Sequence, residues 1–124
     1  MSSLAGKRAA ERKGRLAEGL AAGLLMLNGY RIVARRVRTH AGEIDLIAKR
    51  GKTVVFVEVK ARDGLRAALE AFTPHQQVRI TRAAQAWIAR NMAYAPFDQR
   101  IDMIAVTPWR WPVHVVNAVN VTHR

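Results

Sequence analysis

The chain predicts an α/β fold, a mixed β-sheet flanked by helices in the order α-β-β-β-α-β, with a fifth strand optional at the end. Three stretches carry that prediction. Gly42 to Lys60, GEIDLIAKRGKTVVFVEVK, holds two Val-, Ile- and Phe-rich runs around the basic turn Lys49-Arg50-Gly51-Lys52, the pattern of a β-hairpin. Lys7 to Asn28 is rich in Ala and Leu and closes on Gly29, as a helix with a left-handed cap does. Thr73-Pro74-His75-Gln76 opens a second helix: Thr caps, Pro suits the first helical position, and Gln sits where a capping box wants Glu or Gln. A hairpin followed by a helix and another strand needs a crossover, hence a mixed sheet with helices packed on it.

At 124 residues, half of them hydrophobic, the chain reads as one domain with a core of its own, which excludes global disorder. No cysteine is present, so there is neither a disulfide framework nor a thiolate metal site, and a cytoplasmic setting fits. Lys and Arg number 21 against 9 acids, a net charge of +12. That excess points to a polyanionic partner, nucleic acid first. A membrane is not expected: the apolar run LAAGLLML before Asn28 is too short to span a bilayer.

Residues 1–6 read as a frayed, disordered terminus. In the helix that follows, a spacing of about 100° per residue puts Leu16, Leu20, Leu24 and Leu27 on one apolar stripe. Lys7, Arg8, Arg12, Lys13 and Arg15 make its first half basic. Tyr30–Arg38 is a basic first strand that includes Arg35 and Arg36. Ala61–Phe72 reads as a loop with at most one helical turn. The second helix runs to about Asn91, with Ile80, Ala84, Trp87 and Ile88 inward and Arg79, Arg82 and Arg90 on another side. Arg100–Val106 and Pro112–Asn117 are late strands.

Four charges interrupt the hairpin: Glu43, Asp45, Glu58 and Lys60. Alternation puts Glu43 and Asp45 on one side of their strand, and Glu58 and Lys60 on one side of theirs. With Arg50-Gly51 as a two-residue turn, Glu43 lies opposite Glu58, and Asp45 sits one pair away on the same face. Two readings follow. Either the charges form a solvated face with a weak Glu58–Lys60 pair, or they are a divalent-metal site with a lysine beside it. The run VVFVEVK is apolar on both faces up to the charges, as a central strand is, and favours the second.

Other signals are weaker. His40, His75, His114 and His123 show no metal-ligand or triad-like pairing. Arg100 and Asp102, two residues apart on a strand, read as a structural pair. Trp109 and Trp111 flank Arg110, and such a turn either tucks a ring against the core or stacks on bases.

Taken together, these residues resemble the YraN-like family of small bacterial proteins, which is placed in the restriction-endonuclease-like (PD-(D/E)XK) nuclease superfamily. The resemblance runs from about Gly14 onward, through Glu18, Gly29-Tyr30, GEIDLIA at 42–48, VFVEVKAR at 55–62, Thr73-Pro74 with Gln77, Ala83-Ala84, and Arg100-Ile101-Asp102. It implies that Asp45, Glu58 and the Val59 carbonyl hold Mg²⁺ or Mn²⁺. It further implies that Lys60 acts on the attacking water, that Glu18 completes the site, and that Gln77 is a site residue. One departure stands out: the family's Lys-Gln pair at the start of the second helix reads Gln76-Gln77 here.

The expected function is therefore metal-dependent hydrolysis of DNA, with branched DNA as a candidate substrate. Arg8, Arg12, Arg35, Arg36, Arg79 and Arg82 are expected to hold phosphates. A non-catalytic nucleic-acid-binding protein that keeps the nuclease fold is the alternative. A homodimer is open, though no seam is legible.

Overall fold

The computed structural model describes residues 4–119. Its elements are α1 (Leu4–Leu27), β1 (Arg31–Thr39), β2 (Gly42–Arg50), β3 (Thr53–Ala61), α2 (Leu65–Ala71), α3 (Pro74–Arg90), β4 (Asp98–Val106) and β5 (Val113–Val115), with a 3₁₀ turn at Met92–Tyr94. One sheet runs in the order β1-β2-β3-β4-β5. Among the described residues only the β3–β4 pair is parallel, and α2 and α3 form the crossover that a parallel pair requires.

The central strand is apolar on both faces, as its sequence predicts. Val54 and Phe56 pack with Ile80, Ala84 and Trp87 of α3. Val55 and Val57 pack with Ala21, Ala22 and Leu25 of α1. Helices therefore cover the sheet on both sides, and β3 is buried for most of its length. Thr73 Oγ1 accepts from the Gln76 N–H at 3.2 Å and caps α3. Gly29, at φ 86°, closes α1.

Several expectations change. α1 begins at Leu4 rather than Lys7, while residues 1–3 lie outside the described part, as does His123. The 61–72 segment holds a seven-residue helix, α2, not a loop with one turn. Its sequence, LRAALEA, is made of strong helix formers, and Ala68 gives it a buried contact. The hairpin turn is Gly51-Lys52, with Gly51 at φ 60°, because Arg50 pairs with Thr53.

The largest change concerns the leucine stripe. α1 buries Ala17, Ala21, Ala22 and Leu25, whereas Leu16, Leu20 and Leu27 are exposed. The sheet beneath already supplies Leu46, Val55, Val57 and Ile104. Small side chains let the helix approach that bulky surface, and the leucines turn outward beside it.

Candidate functional site

The site forms where β2 and β3 part. Their ladder runs from Arg50↔Thr53 to Leu46↔Val57 and stops. At the next position Asp45 Oδ2 accepts from the Val59 N–H at 2.8 Å, so a carboxylate takes the place of a backbone acceptor. In this register Asp45, not Glu43, stands across from Glu58, a direct consequence of the one-residue shift of the turn. Glu43 is exposed and pairs with Arg38 at the surface.

Glu58 Oε2 lies 3.1 Å from Lys60 Nζ, and both side chains are largely buried. Asp45 and Glu58 line two clefts at once. One, about 420 Å³, is walled by Ala10, Lys13, Gly14, Ala17 and Glu18 of α1 with Val59 and Arg62. The other, about 320 Å³, is walled by Gly42, Glu43, Gln76, Arg79 and Ile80. The acidic pair thus marks the open end of the sheet, between the first half of α1 and the start of α3.

Electrostatics follow from this packing. Burial pushes the Asp45 carboxyl up to about 7 from its ordinary 3.8, and the charge of Glu58 adds to the effect; the Val59 hydrogen bond opposes it. Burial also raises Glu58, opposed by the neighbouring Lys60. Two carboxylates held together away from water disfavour ionising both, and a cation between them relieves the conflict.

The remaining expected residues divide. Glu18 lines the first cleft, but its Oε1 accepts from Arg36 Nε at 2.8 Å. Arg36 itself sits at φ 51°, and its hydrogen bond to Glu18 raises its pKa. Arg79 lines the second cleft. Its stem lies over Gly42, where a Cβ would stand 2.8 Å from Arg79 Cγ. Arg8, Arg12, Arg35 and Arg82 are exposed and line neither cleft. Gln77 Nε2 donates to the Phe72 carbonyl at 2.9 Å and ties α3 to the end of α2. Its neighbour Gln76 faces the cleft instead, with its buried Oε1 lacking a partner.

Lys13, Arg62 and Gln76 are cleft residues that the sequence analysis does not single out for the site. For Lys13 a signal exists: Ala10, Lys13, Gly14 and Ala17 follow the i, i+3, i+4, i+7 spacing of one helix face. Arg12 sits one residue, about 100°, away from that face.

The donors suit a hard divalent cation. They are oxygens only, and Mg²⁺ typically takes one or two carboxylates and keeps waters or substrate phosphates in its other positions. Among the described residues no three His, Cys, Asp or Glu side chains converge as a ready-made cage. For such an ion the chain would offer the pair Asp45 and Glu58, with Val59 on the cleft wall.

A second charged cluster lies on β4 and β5, away from these clefts, and gives His114 a carboxylate partner. Asp102, fully buried, accepts from Arg100 Nε and Nη2 at 2.9 and 2.8 Å and from the Asn117 N–H at 2.8 Å, and lies 2.6 Å from His114 Nε2. Arg100 also donates to the Tyr30 hydroxyl. Burial alone would raise Asp102, but the bonds from His114 and Arg100 outweigh it and hold the carboxyl below its usual range. The expected Arg100–Asp102 pair is present. The His114 partner was invisible because it comes from a strand paired only in the fold.

Fold and site together define a small mixed α/β domain with a carboxylate pair and a buried lysine at the open end of its sheet. The chain belongs to the family described as "Uncharacterised protein family UPF0102", which matches residues 17–106. It is similar to a UPF0102 protein of Mesorhizobium japonicum, 56% identical over 114 residues, 92% of this chain and 91% of the relative. A UPF0102 protein of Brucella canis is 55% identical over 109 residues, covering 88% and 86%. One of Methylorubrum extorquens is 49% identical over 115 residues, covering 93% and 90%. The matched span includes Glu18, Asp45, Glu58 and Lys60, while Ala10, Lys13 and Gly14 of the first cleft precede it.

Proposed function

We propose that this protein is a metal-dependent endonuclease that hydrolyses phosphodiester bonds in DNA. The observation that carries the reading is the meeting of Asp45 and Glu58 at the junction of two clefts, with Lys60 Nζ 3.1 Å from Glu58. The resemblance to restriction-endonuclease-like enzymes supports the same roles.

Asp45 and Glu58 would hold Mg²⁺ or Mn²⁺, with the Val59 carbonyl as a further donor. When bound, such an ion supplies positive charge to the attacked phosphate and to the attacking water. Lys60, buried and fixed by Glu58, orients that water and holds its proton relations. Lys13, Arg62 and Arg79 on the cleft walls receive the flanking phosphates, and the excess of basic residues draws the polyanion in. Arg8, Arg12, Arg35 and Arg82 then act at longer range. Glu18 limits the local charge of Arg36 and stays close enough to join the carboxylates when Arg36 turns to a phosphate. A DNA substrate puts the work in the cytoplasm. Among the described residues no helix is long and apolar enough to cross a membrane.

One observation favours a second reading, a nucleic-acid binder that does not cut. Gln76 lines the second cleft at the position where the pattern of the resembled family has lysine, which leaves one cation fewer there. Incubation of single-stranded, duplex and branched DNA with Mg²⁺ or Mn²⁺ separates the two. Wild type cuts at least one of these substrates and Asp45→Ala cuts none; binding without cleavage by the wild type selects the second reading.

A further inference from the structure

An apolar groove of about 680 Å³ runs between α1 and the segment joining β4 to β5. Leu16, Leu20 and Leu27 form one wall, and Trp109 and Trp111 the other. Trp109 is fully exposed and Trp111 is 77% exposed, so neither ring tucks against the core. Trp109 also holds φ 63°, a left-handed conformation that a bulky residue keeps only where the surrounding structure enforces it. The polar members of the lining include Lys13, Arg62 and Arg110, and no acidic residue is among them.

A symmetric seam between two copies would set this basic lining, with Lys13, Arg62 and Arg110, against the same basic lining of the other copy, an unfavourable arrangement of like charges.

Continuity with the candidate site points elsewhere. The groove shares Lys13, Ala17, Ala61 and Arg62 with the cleft that holds Asp45 and Glu58. A polymer whose phosphate lies at the acidic pair therefore runs on into the groove without leaving the protein surface. Exposed indoles beside cations match one kind of polymer, an unpaired nucleic-acid strand, because only unpaired bases offer their faces for stacking. In a duplex those faces are already covered by neighbouring base pairs.

We infer that the groove takes an unpaired strand adjoining the site, with bases stacked on Trp109 and Trp111 and phosphates against Lys13, Arg62 and Arg110. The inference rests on the nuclease reading and narrows its substrate to DNA with a single-stranded arm beside a duplex.

Tryptophan emission tests it directly. Trp87 is buried in the core, so quenching on binding reports the two groove indoles. The intact protein is titrated with an oligothymidylate of about 12 nucleotides, within the range that small stacking platforms cover. A blunt duplex and the same duplex with a single-stranded overhang are titrated in parallel. The expected result is quenching by the oligothymidylate and by the overhang, both bound in preference to the blunt duplex. Trp109→Ala and Trp111→Ala should each weaken single-strand binding by about five- to a hundredfold, with a smaller change for blunt duplex. Both residues are surface-exposed, and a melting curve verifies that each variant folds. An unaltered single-strand preference in both variants, or binding with no quenching, overturns the assignment. So does self-association in sedimentation that the variants abolish and the oligonucleotide leaves untouched, since the groove is then a seam between copies. The underlying reading fails separately: quenching by the overhang with no cleavage by the wild type removes the nuclease and keeps the groove.

Discussion

Replacing Asp45 with Asn should stabilise the metal-free protein at alkaline pH and abolish its response to metal. The wild-type carboxyl ordinarily titrates at 3.8 and is raised to about 7 in the fold, first by burial and then by Glu58. Below 3.8 it is protonated in both folded and unfolded chains, and no penalty applies. Between 3.8 and 7 the folded chain holds a proton that the unfolded chain has lost, so stability falls as pH rises. Above 7 the penalty is complete and constant. Each pH unit in that window costs about 1.4 kcal/mol, so the whole window is worth roughly 4 kcal/mol. Asn keeps an oxygen for the Val59 N–H, and the extra strength of that bond to the charged carboxylate is already contained in the net shift. The variant should then gain roughly 4 kcal/mol at pH 8, on the order of 15 °C in Tm for a domain of this size. Near pH 4 that advantage should vanish. Thermal melts in chelator from pH 4 to 9 measure it. Millimolar Mn²⁺ should restore the wild type, since binding at a hundredfold over Kd is worth about 2.7 kcal/mol, and leave the variant unmoved. A variant less stable than wild type at pH 8, or a difference that does not change with pH, refutes the account.

Three further outcomes are expected. Lys60→Ala should abolish cleavage yet retain the Mn²⁺-dependent rise in Tm, because Lys60 acts on water rather than holding the ion; loss of the metal response would move Lys60 into the metal-binding set. Asp102→Ala should destabilise by about 3–5 kcal/mol, since it leaves Arg100 and the Asn117 N–H without their buried acceptor. Because the Asp102 pKa is lowered in the fold, the wild-type share of that stability is present above 3.8 and lost as pH falls through the folded value, which acid titration of both proteins reads. Gly42→Ala should cost about 1–3 kcal/mol, since residue 42 holds φ 147° and the new Cβ meets Arg79 Cγ at 2.8 Å; it should also weaken DNA binding by displacing Arg79, whereas an unchanged melt and affinity would remove both consequences.

The sequence by itself determined the parts governed by local periodicity and local chemistry. The hairpin, the two-sided apolar run before Glu58, the Gly29 cap and the Thr73-Pro74 helix start are all decided within a few residues. So is the placing of Glu58 and Lys60 on one side of their strand, where the pair is present; which acid of β2 faces Glu58 depended on the register, and the turn at Gly51-Lys52 made it Asp45. The tertiary structure decided what depends on the opposing surface. Leu16, Leu20 and Leu27 make the stronger apolar stripe, yet the bulky sheet face admits alanines and sends the leucines outward. Gln77 and Gln76 exchange expected places because the end of α2, a helix the sequence left as loop, draws Gln77 away. His114 meets Asp102 only because β5 pairs with β4. The joining of the tryptophan groove to the acidic cleft has the same origin: Lys13 and Arg62, far apart along the chain, become neighbours only when α1 lies across the end of β3.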